Sequence, residues 1–355
     1  MNAKPILVTG ATGYIGGRLV PQLLAKGYRV RCLVRDPDRL RGRTWENSVE
    51  VVAGDVLDPS SLARAFEGCG AAYYLVHSMA SGTGSFQERD LVAARNFAEA
   101  AAAAHLERIV YLGGLGRRSE TLSHHLTSRH EVGDVLRAGS VPATELRAAM
   151  IIGSGSASFE ILRSLVSRLP VMICPRWVAN RSQPIAIQSV LAYLIGCMEN
   201  PATAGQVFDI GGPEILTYKQ MMERFAGILE CRRWMLVVPV LTPRLSAYWA
   251  NLVTPVPASI AFPLIEGLKS ETVCEDDRIK DLVAVEPIGF DDAVRLALEE
   301  HRQHEVETRW TNASMPAHEG RPIRFDPTIR EKTRAKIGSP GLGVSPISPR
   351  APLSR

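Results

Sequence analysis

The first seventeen residues constrain the fold more than any other part of this chain. An apolar run from Ile6 to Val8 predicts a short buried strand, and a helical pattern begins near Tyr14. Three glycines at a spacing of three lie between strand and helix: Gly10, Gly13 and Gly16. In such a strand–turn–helix unit the first glycine makes a tight turn, and the second lets the backbone approach a pyrophosphate. The third lets the helix pack close to the strand. Because a helix N-terminus attracts phosphate, this stretch predicts a nucleotide-binding turn.

Strand and helix patterns then alternate along the first half of the chain. Strands are predicted over residues 29–35, 49–54, 71–77, 108–112 and 144–152, with helices over residues 14–26, 91–105 and 122–138. This alternation predicts an α/β fold, a Rossmann doubly wound parallel sheet. We assign residues 1–153 to the NAD(P)-binding Rossmann domain and residues 154–305 to a smaller C-terminal α/β substrate-binding subdomain. Whether that subdomain returns strands to the Rossmann sheet is left open.

Charge is distributed unevenly over the 355 residues. The formal net charge is +4, but residues 321–355 alone carry +6, which leaves −2 for the rest. The folded part is therefore not basic, which argues against a nucleic-acid partner. Residues 306–355 read as a flexible basic tail rich in Pro, Gly and Ser.

The cysteines and the N-terminal residues indicate the cellular compartment in which the protein is expected. Six scattered cysteines without a CxxC pair are typical of reduced thiols. The first strand begins too early for a signal peptide to precede it. We therefore expect a cytoplasmic protein, either a monomer or a homodimer.

The end of the second predicted strand bears on the choice of cofactor. An NAD-specific fold usually places Asp or Glu here, on the ribose hydroxyls. This chain has Arg35 followed by Asp36. A guanidinium can pair with a 2′-phosphate, so NADP (NADPH) is favoured over NAD, with Thr12 and Arg39 as helpers. The alternative is that Arg35 is merely solvated and Asp36 binds the ribose.

Further cofactor contacts are predicted at other strand ends, because ligands bind at the carboxyl edge of a parallel sheet. Asp55 and Val56 follow the third strand, where the acid can accept a hydrogen bond from the adenine amino group. His77 ends the fourth strand. The complete predicted cofactor set is Gly10, Thr12, Gly13, Tyr14, Ile15, Gly16, Arg35, Asp55, Val56 and His77.

Several motifs together point to a known superfamily. They are residues 9–16, Arg35, Gly54-Asp55, Asn96, Leu146-Arg147, residues 184–187, residues 205–213 and Thr217-Tyr218. With them the chain resembles an atypical, extended short-chain dehydrogenase/reductase over roughly residues 4–300. It is similar to the NmrA-like and the sugar-nucleotide epimerase/dehydratase branches. The resemblance implies NAD(P)H binding, together with hydride chemistry, epimerase/dehydratase chemistry, or a non-catalytic role as an NADP-binding regulator or assembly factor.

The catalytic position departs from the superfamily pattern. The usual Tyr-x-x-x-Lys pair is replaced by His125 and Arg129, and Gly113-Gly114 stand where hydroxyl residues are expected. Spacing i, i+4 keeps His125 and Arg129 on one helix face. Histidine can transfer protons near neutral pH, whereas arginine can hold a ribose but does not deprotonate.

Two interpretations of this position follow. In the first, His125 is the proton donor with Ser128 or a water, and Arg129 positions the ribose. In the second, both residues bind only ribose or solvent in a protein without hydride chemistry. A metal site is not predicted, because the spacings of His124, His125 and His130 do not put three ligands on one face.

Residues 245–265 carry no charged side chain. Pro255, Pro257 and Pro263 argue against a membrane-spanning helix. The segment predicts a buried cap over the nicotinamide, which favours an apolar small-molecule substrate. The alternative is a peripheral membrane contact through Tyr248, Trp249 and Phe262.

Overall fold

The computed structural model describes residues 4–77, 86–117, 122–238 and 256–303, and Thr308. The strands are β1 (Ile6–Thr9), β2 (Val30–Val34), β3 (Glu50–Ala53), β4 (Ala71–Tyr74), β5 (Arg108–Gly114), β6 (Ala143–Ala148), β7 (Ile151–Ile152), β8 (Val171–Pro175), β9 (Arg181–Ser182), β10 (Ile185–Ala186), β11 (Val207–Ile210), β12 (Leu216–Thr217) and β13 (Trp234–Val238). The helices are α1 (Gly16–Ala25), α2 (Pro59–Phe66), α3 (Phe86–Ala103), α4 (His124–Ala138), α5 (Ala157–Arg168), α6 (Ile187–Glu199), α7 (Tyr218–Ile228), α8 (Ala258–Gly267), α9 (Ile279–Leu282) and α10 (Phe290–Arg302).

Seven strands form one sheet in the order β3-β2-β1-β4-β5-β6-β11. Every neighbouring pair in it is parallel. The strand order reverses between β1 and β4, which makes this the topological switch point where such sheets bind ligands. The predicted Rossmann architecture is confirmed. The question left open by the sequence is answered by β11, a strand from the second half that extends this sheet.

Helices cover both faces of the sheet. Leu19 of α1 and Leu194 of α6 share one buried cluster with β1, β2 and β5. Phe66 of α2, Phe97 of α3 and Val132 of α4 belong to a second cluster on the other face. Because the parallel strands are buried on both faces, they carry the short apolar runs that made them recognisable in the sequence.

The second half adds small two-stranded sheets, which the sequence predicted poorly. The single strand predicted over residues 144–152 is wrong, because the chain leaves the main sheet after Ala148. Ile151 and Ile152 form β7, which pairs with β10. The parallel pair β8–β13 was not predicted at all.

The ends of several elements also differ from the prediction. The fourth strand stops at Tyr74, which leaves His77 in a loop, and the fifth continues through Gly114. Most of the predicted tail lies outside the described residues, but Thr308 is fully buried against α1. Among the helices described, none combines the length and apolarity needed to cross a membrane.

Candidate functional site

The loop after β1 forms a narrow cradle at the switch point. Gly10 has a φ of +74°, and a Cβ there would lie 2.5 Å from the carbonyl oxygen of Leu75, which follows β4. A Cβ at Gly16 would overlap the carbonyl oxygen of Gly10. The Gly13 N–H donates to that same oxygen at 2.9 Å and closes the turn. Side chains at the first and third glycines would fill the space that the turn and the close approach of α1 need.

The helix that follows this loop has no side-chain cap. It begins at Gly16 after Ile15, whose side chain makes no capping hydrogen bond. Its first N–H groups and its positive dipole end are therefore suited to an anionic ligand. The cradle and the uncapped helix fit a dinucleotide pyrophosphate.

Arginines surround the outer side of this loop. Arg35 is exposed directly after β2. The Asp36 carboxylate accepts the Asp38 N–H at 3.1 Å and lies 3.6 Å from Nε of Arg39, so it braces its own turn. Arg43 donates to the carbonyl oxygen of Thr12 at 3.4 Å. Sequence analysis missed Arg43, although the alternating arginines at positions 39, 41 and 43 were a signal.

The predicted adenine contacts lie in a braced loop after β3. Oδ1 of Asp55 accepts the Leu57 N–H at 3.0 Å, and Val56 is buried. Asn96 of α3 donates to the carbonyl oxygens of Val56 and Leu57, at 3.3 and 3.1 Å. Asn96 therefore fixes the loop to the helix below it.

Tyr14 lies between the glycine loop and the second half of the chain. Its hydroxyl faces Gly153, where a Cβ would collide with it. Burial raises the pKa of this phenol above its usual value, and no described protein group hydrogen-bonds the hydroxyl. The neutral phenol is thus an unused hydrogen-bonding group beside the cradle.

The structure brings two predicted site residues into direct contact and adds a third. Nδ1 of His77 lies 2.9 Å from Oδ2 of Asp90, and Nε2 of His77 lies 3.0 Å from Nδ1 of His125. The imidazole centroids are 4.8 Å apart. Asp90 lies on α3, His77 follows β4, and His125 is in the first turn of α4. Sequence analysis missed Asp90, because nothing in the spacing of these residues places them together.

Asp90, at one end of this series of hydrogen bonds, determines which imidazole nitrogens carry protons. A carboxylate only accepts hydrogen bonds, so Nδ1 of His77 carries the proton and donates. Nε2 of His77 then accepts from Nδ1–H of His125. This assignment leaves the lone pair of Nε2 of His125 as the outer end of an Asp90–His77–His125 relay.

Both imidazoles are held in the neutral form. Burial lowers the pKa of His125 well below its usual value, and His77 and the Arg129 guanidinium lower it further. Burial and Arg129 also lower the pKa of His77, against the opposing effect of Asp90. The position of His125 in the first turn of α4 acts in the same direction, since the positive end of the helix dipole disfavours an imidazolium.

The other two predicted catalytic residues are placed differently. Arg129 donates through Nη1 to the carbonyl oxygen of Leu112 at 2.9 Å. Ser128 is completely buried, and its hydroxyl has no hydrogen-bond partner in the part of the chain that is described. The hydroxyl is thus shielded from solvent, and the proton-donor role of Ser128 stays a prediction.

Part of the predicted cap packs against α5 and α4. Val256, Ile260, Ala261 and Ile265 form a buried apolar cluster with α5. Helix α8 also contacts α4, and a Cβ at Gly267 would lie 3.8 Å from Oγ of Ser123, the N-cap of α4. Residues 245–255, including Tyr248 and Trp249, lie outside the described residues.

The three neighbouring histidines do not converge. His124 is exposed, while Nε2 of His130 lies 3.1 Å from the carbonyl oxygen of Gly114. Within the described ranges no group of three or more His, Cys, Asp or Glu side chains is arranged to hold a metal ion.

Comparison with known proteins agrees with the geometry of the glycine loop. Residues 10–161 match the family model described as NAD(P)H-binding. This chain carries an NAD(P)H-binding domain. An NAD(P)H-binding domain in this fold agrees with the predicted resemblance to the atypical short-chain dehydrogenases/reductases.

Relatives and solved structures with related sequences or folds include several reductases. The chain is 34% identical over 169 residues to ceramide reductase of Caulobacter vibrioides, which covers 47% of this chain and 52% of that protein. It is 26% identical over 250 residues to a chloroplastic divinyl chlorophyllide a 8-vinyl-reductase of Zea mays, covering 66% and 62%. The matches thus span only part of these relatives. The Citrobacter sp. triphenylmethane reductase complexed with NADP(H) shares the fold, with a TM-score of 0.65 and 19% identity over 82% of this chain and 99% of that one.

At the end of β5 this chain has Gly113 and Gly114 where the superfamily has hydroxyl residues, and the packing around the two glycines explains the difference. A Cβ at Gly114 would lie 2.8 Å from Cδ2 of Leu126, and one at Gly113 would lie 3.0 Å from Oε1 of Glu145. Glu145 is a buried carboxylate that pairs with Arg137 at 3.3 Å and Arg147 at 2.9 Å. In this NAD(P)H-binding domain the place of the hydroxyl residues is thus filled by α4 and by a buried ion-pair network.

Proposed function

We propose that this chain is an NADP(H)-dependent oxidoreductase in which His125 transfers the proton. The observation that carries the proposal is the Asp90–His77–His125 relay. It presents a single imidazole lone pair at the position that the superfamily gives to its catalytic tyrosine. His125 uses only its Nδ1 in this relay, which leaves its Nε2 for a substrate.

The charge around the glycine loop supports NADP(H) over NAD. Arg43 donates to the Thr12 carbonyl oxygen, and Arg35 is exposed directly after β2. The two acids of that turn, Asp36 and Asp38, pair with Arg39 and Arg41. An acid free to bind ribose hydroxyls is the usual mark of an NAD site, and a guanidinium there favours a 2′-phosphate. When bound, NADP(H) supplies the hydride.

The neutral state of His125 determines whether it accepts or donates a proton in each direction of the reaction. A neutral imidazole accepts a proton, so Nε2 of His125 acts as the base when an alcohol is oxidised. In the reduction direction Nε2 first takes a proton from solvent and then donates it to the developing alkoxide. Asp90 and His77 fix the tautomer and orient the ring, as an acid behind a catalytic histidine does in other enzymes.

Two observations support an apolar substrate. The α8 cluster places aliphatic side chains beside α4, close to the residue that starts the helix of His125. Relatives whose names identify them as reductases of a ceramide and of a chlorophyllide act on large apolar molecules. We therefore assign this chain a substrate with a carbonyl or a conjugated alkene on an apolar body.

The test has a binding part and a turnover part. NADPH and NADH affinities are measured by quenching of protein fluorescence for the wild type, Arg35→Ser and the control Arg64→Ser, an exposed arginine of α2. We expect NADPH to bind more tightly than NADH, and Arg35→Ser to weaken NADPH binding alone by about tenfold. Equal affinities in the wild type would contradict the NADP(H) assignment.

Turnover is measured as NADPH oxidation with long-chain ketones, aromatic aldehydes and conjugated alkenes. We expect oxidation that His125→Ala reduces at least about a hundredfold, while NADPH binding is kept. Turnover that survives His125→Ala would refute the role of His125. Binding of NADPH without turnover on any of these compounds, or on alcohols with NADP⁺, would favour a non-catalytic cofactor-sensing protein instead.

A further inference from the structure

The parallel pair β8–β13 has an apolar outer face. In its register Trp234 pairs with Val171 and Leu236 pairs with Ile173. The exposed fractions of these four residues are 70%, 50%, 57% and 65%. On β8 the alternate side chains, Met172 and Cys174, are buried in the cluster that α5 and α7 share, whereas on β13 Met235 is partly buried and Val237 is 48% exposed. We call the four exposed residues the β8–β13 face.

This pattern is unusual for a sheet that has solvent on one side. Such strands normally alternate apolar residues inward with polar residues outward. An exposed two-stranded sheet with apolar residues on both faces is an aggregation liability unless another surface covers it. The face is therefore unlike a singly exposed leucine, which needs no explanation.

The charges flanking the face have one sign. Residues 166–178 and 228–238, which contain the two strands, hold four arginines and a single acid, Glu230. The arginines are Arg168, Arg176, Arg232 and Arg233. Arg232 and Arg176 are exposed at opposite ends of the strands. The apolar face thus has a basic rim at both ends.

We propose that the β8–β13 face docks on the surface of an anionic lipid bilayer. Tryptophan and aliphatic side chains enter the interfacial layer, while the flanking arginines meet lipid phosphates. A second copy of this chain is a poorer occupant, since a two-fold contact would bring the same basic rims together. The function of this surface does not depend on the proposed reaction.

Flotation of the full-length chain with lipid vesicles tests the proposal. The vesicles are made of phosphatidylcholine alone or of phosphatidylcholine with phosphatidylglycerol. We expect the protein to float with the anionic vesicles, and less so as salt is raised. The double variant Trp234→Ser/Leu236→Ser should lower the partition coefficient at least about tenfold, because both side chains lose their transfer into the interface.

Matched controls distinguish binding through this face from non-specific binding of exposed apolar residues to lipid. Ile215→Ser/Leu296→Ser removes two apolar side chains that are also exposed, at 48% and 43%, outside the face, and should leave flotation unchanged. Arg176→Gln/Arg232→Gln should weaken binding to the anionic vesicles only. Circular dichroism checks that each variant is folded.

Three outcomes would overturn the proposal. The first is a wild type that floats with neither vesicle. The second is a face variant that floats as well as the wild type, as would occur if Trp249 made the contact and Trp249→Ser alone abolished it. The third is a wild-type dimer that the face variant converts to a monomer without any lipid binding, which would show that the face joins two copies of the chain.

Discussion

At the scale of single residues, the relay gives His125 a defined tautomer and orientation, on which the proposed reaction rests. His125 stands at the position of a tyrosine, but an isolated histidine there would have an undefined tautomer. The hydrogen bonds to His77 and, through it, to Asp90 remove that ambiguity. Arg129 lowers the pKa of both imidazoles and so helps to keep Nε2 of His125 unprotonated.

Asp90→Asn tests the relay with little change in shape. The asparagine amide can donate to Nδ1 of His77, which would reverse both hydrogen bonds and place a proton on Nε2 of His125. We expect alcohol oxidation with NADP⁺ to fall about a hundredfold, because Nε2 of His125 can then no longer accept the proton, while NADPH binding is retained. The control is Glu99→Gln, an exposed acid on the same helix, which should have no effect.

The pH profile gives the same prediction an independent readout. His125 must be neutral to accept a proton from an alcohol, and its pKa lies below the usual 6.5. Oxidation by the wild type should therefore rise with pH in the acidic range and be level above about pH 6.5. A limb centred near or above pH 7 would contradict the assignment of His125 as the buried base.

At the scale of elements, the approach of α4 to β5 decides what can stand at the end of the strand. Gly114 is the contact point, with Leu126 and Arg129 directly above it. Gly133 of α4 makes a similar approach to the carboxylate of Glu145. The helix is thereby held close enough for Arg129 to donate to Leu112 and for His125 to reach His77.

Gly114→Ala should therefore destabilise the protein and displace α4. A Cβ 2.8 Å from Leu126 cannot be accommodated without movement, so we expect a loss of about 1–3 kcal/mol in the free energy of unfolding. Urea denaturation measures it. Gly227→Ala in α7 is the control, because nothing lies within 4 Å of its Cβ and helix propensity alone should give a small gain. Equal behaviour of the two variants would contradict the packing argument.

At the scale of the whole molecule, a buried polar network ties distant segments to the glycine loop. Arg18 of α1 donates to the Ser154 carbonyl oxygen at 2.9 Å and lies 3.6 Å from Oε2 of Glu300 on α10. Its Nε donates to the Thr308 hydroxyl at 3.0 Å, and that hydroxyl donates to the Tyr14 carbonyl oxygen at 2.9 Å. The last described residue thus braces the loop that begins the chain.

Thr308→Val tests this connection while keeping the side-chain volume. Both Arg18 and the Tyr14 carbonyl would lose a partner in a buried setting, so the free energy of unfolding should fall by about 1–2 kcal/mol. Thr44→Val, at an exposed position, should change it by less than about 0.5 kcal/mol. An unchanged unfolding midpoint in Thr308→Val would show that the network contributes no stability.

Sequence alone was sufficient where the information is local. The order of β1, the glycine loop and α1 follows from apolar runs and from positions that tolerate only glycine. The alternation of strands and helices then led to the correct sheet class. The ends of strands were less certain, because Gly113 and Gly114 look like a loop in sequence and continue β5 in the structure. There the pairing of Gly113 with Arg147 and of Gly114 with Ala148 on β6 continues the strand.

Only the tertiary structure decided the contacts between segments that lie far apart in the chain. Asp90 lies on α3, His77 in the loop after β4 and His125 on α4, and no sequence pattern links the three. They come within hydrogen-bonding distance only because α3 and α4 pack side by side next to the end of β4. The outer face of β8 and β13 also depends on pairing, since each strand alone reads as an ordinary apolar run. Local sequence specifies which groups are available. Burial and long-range packing specify which of them meet, and hence which protonation state and which exposed surface the protein has.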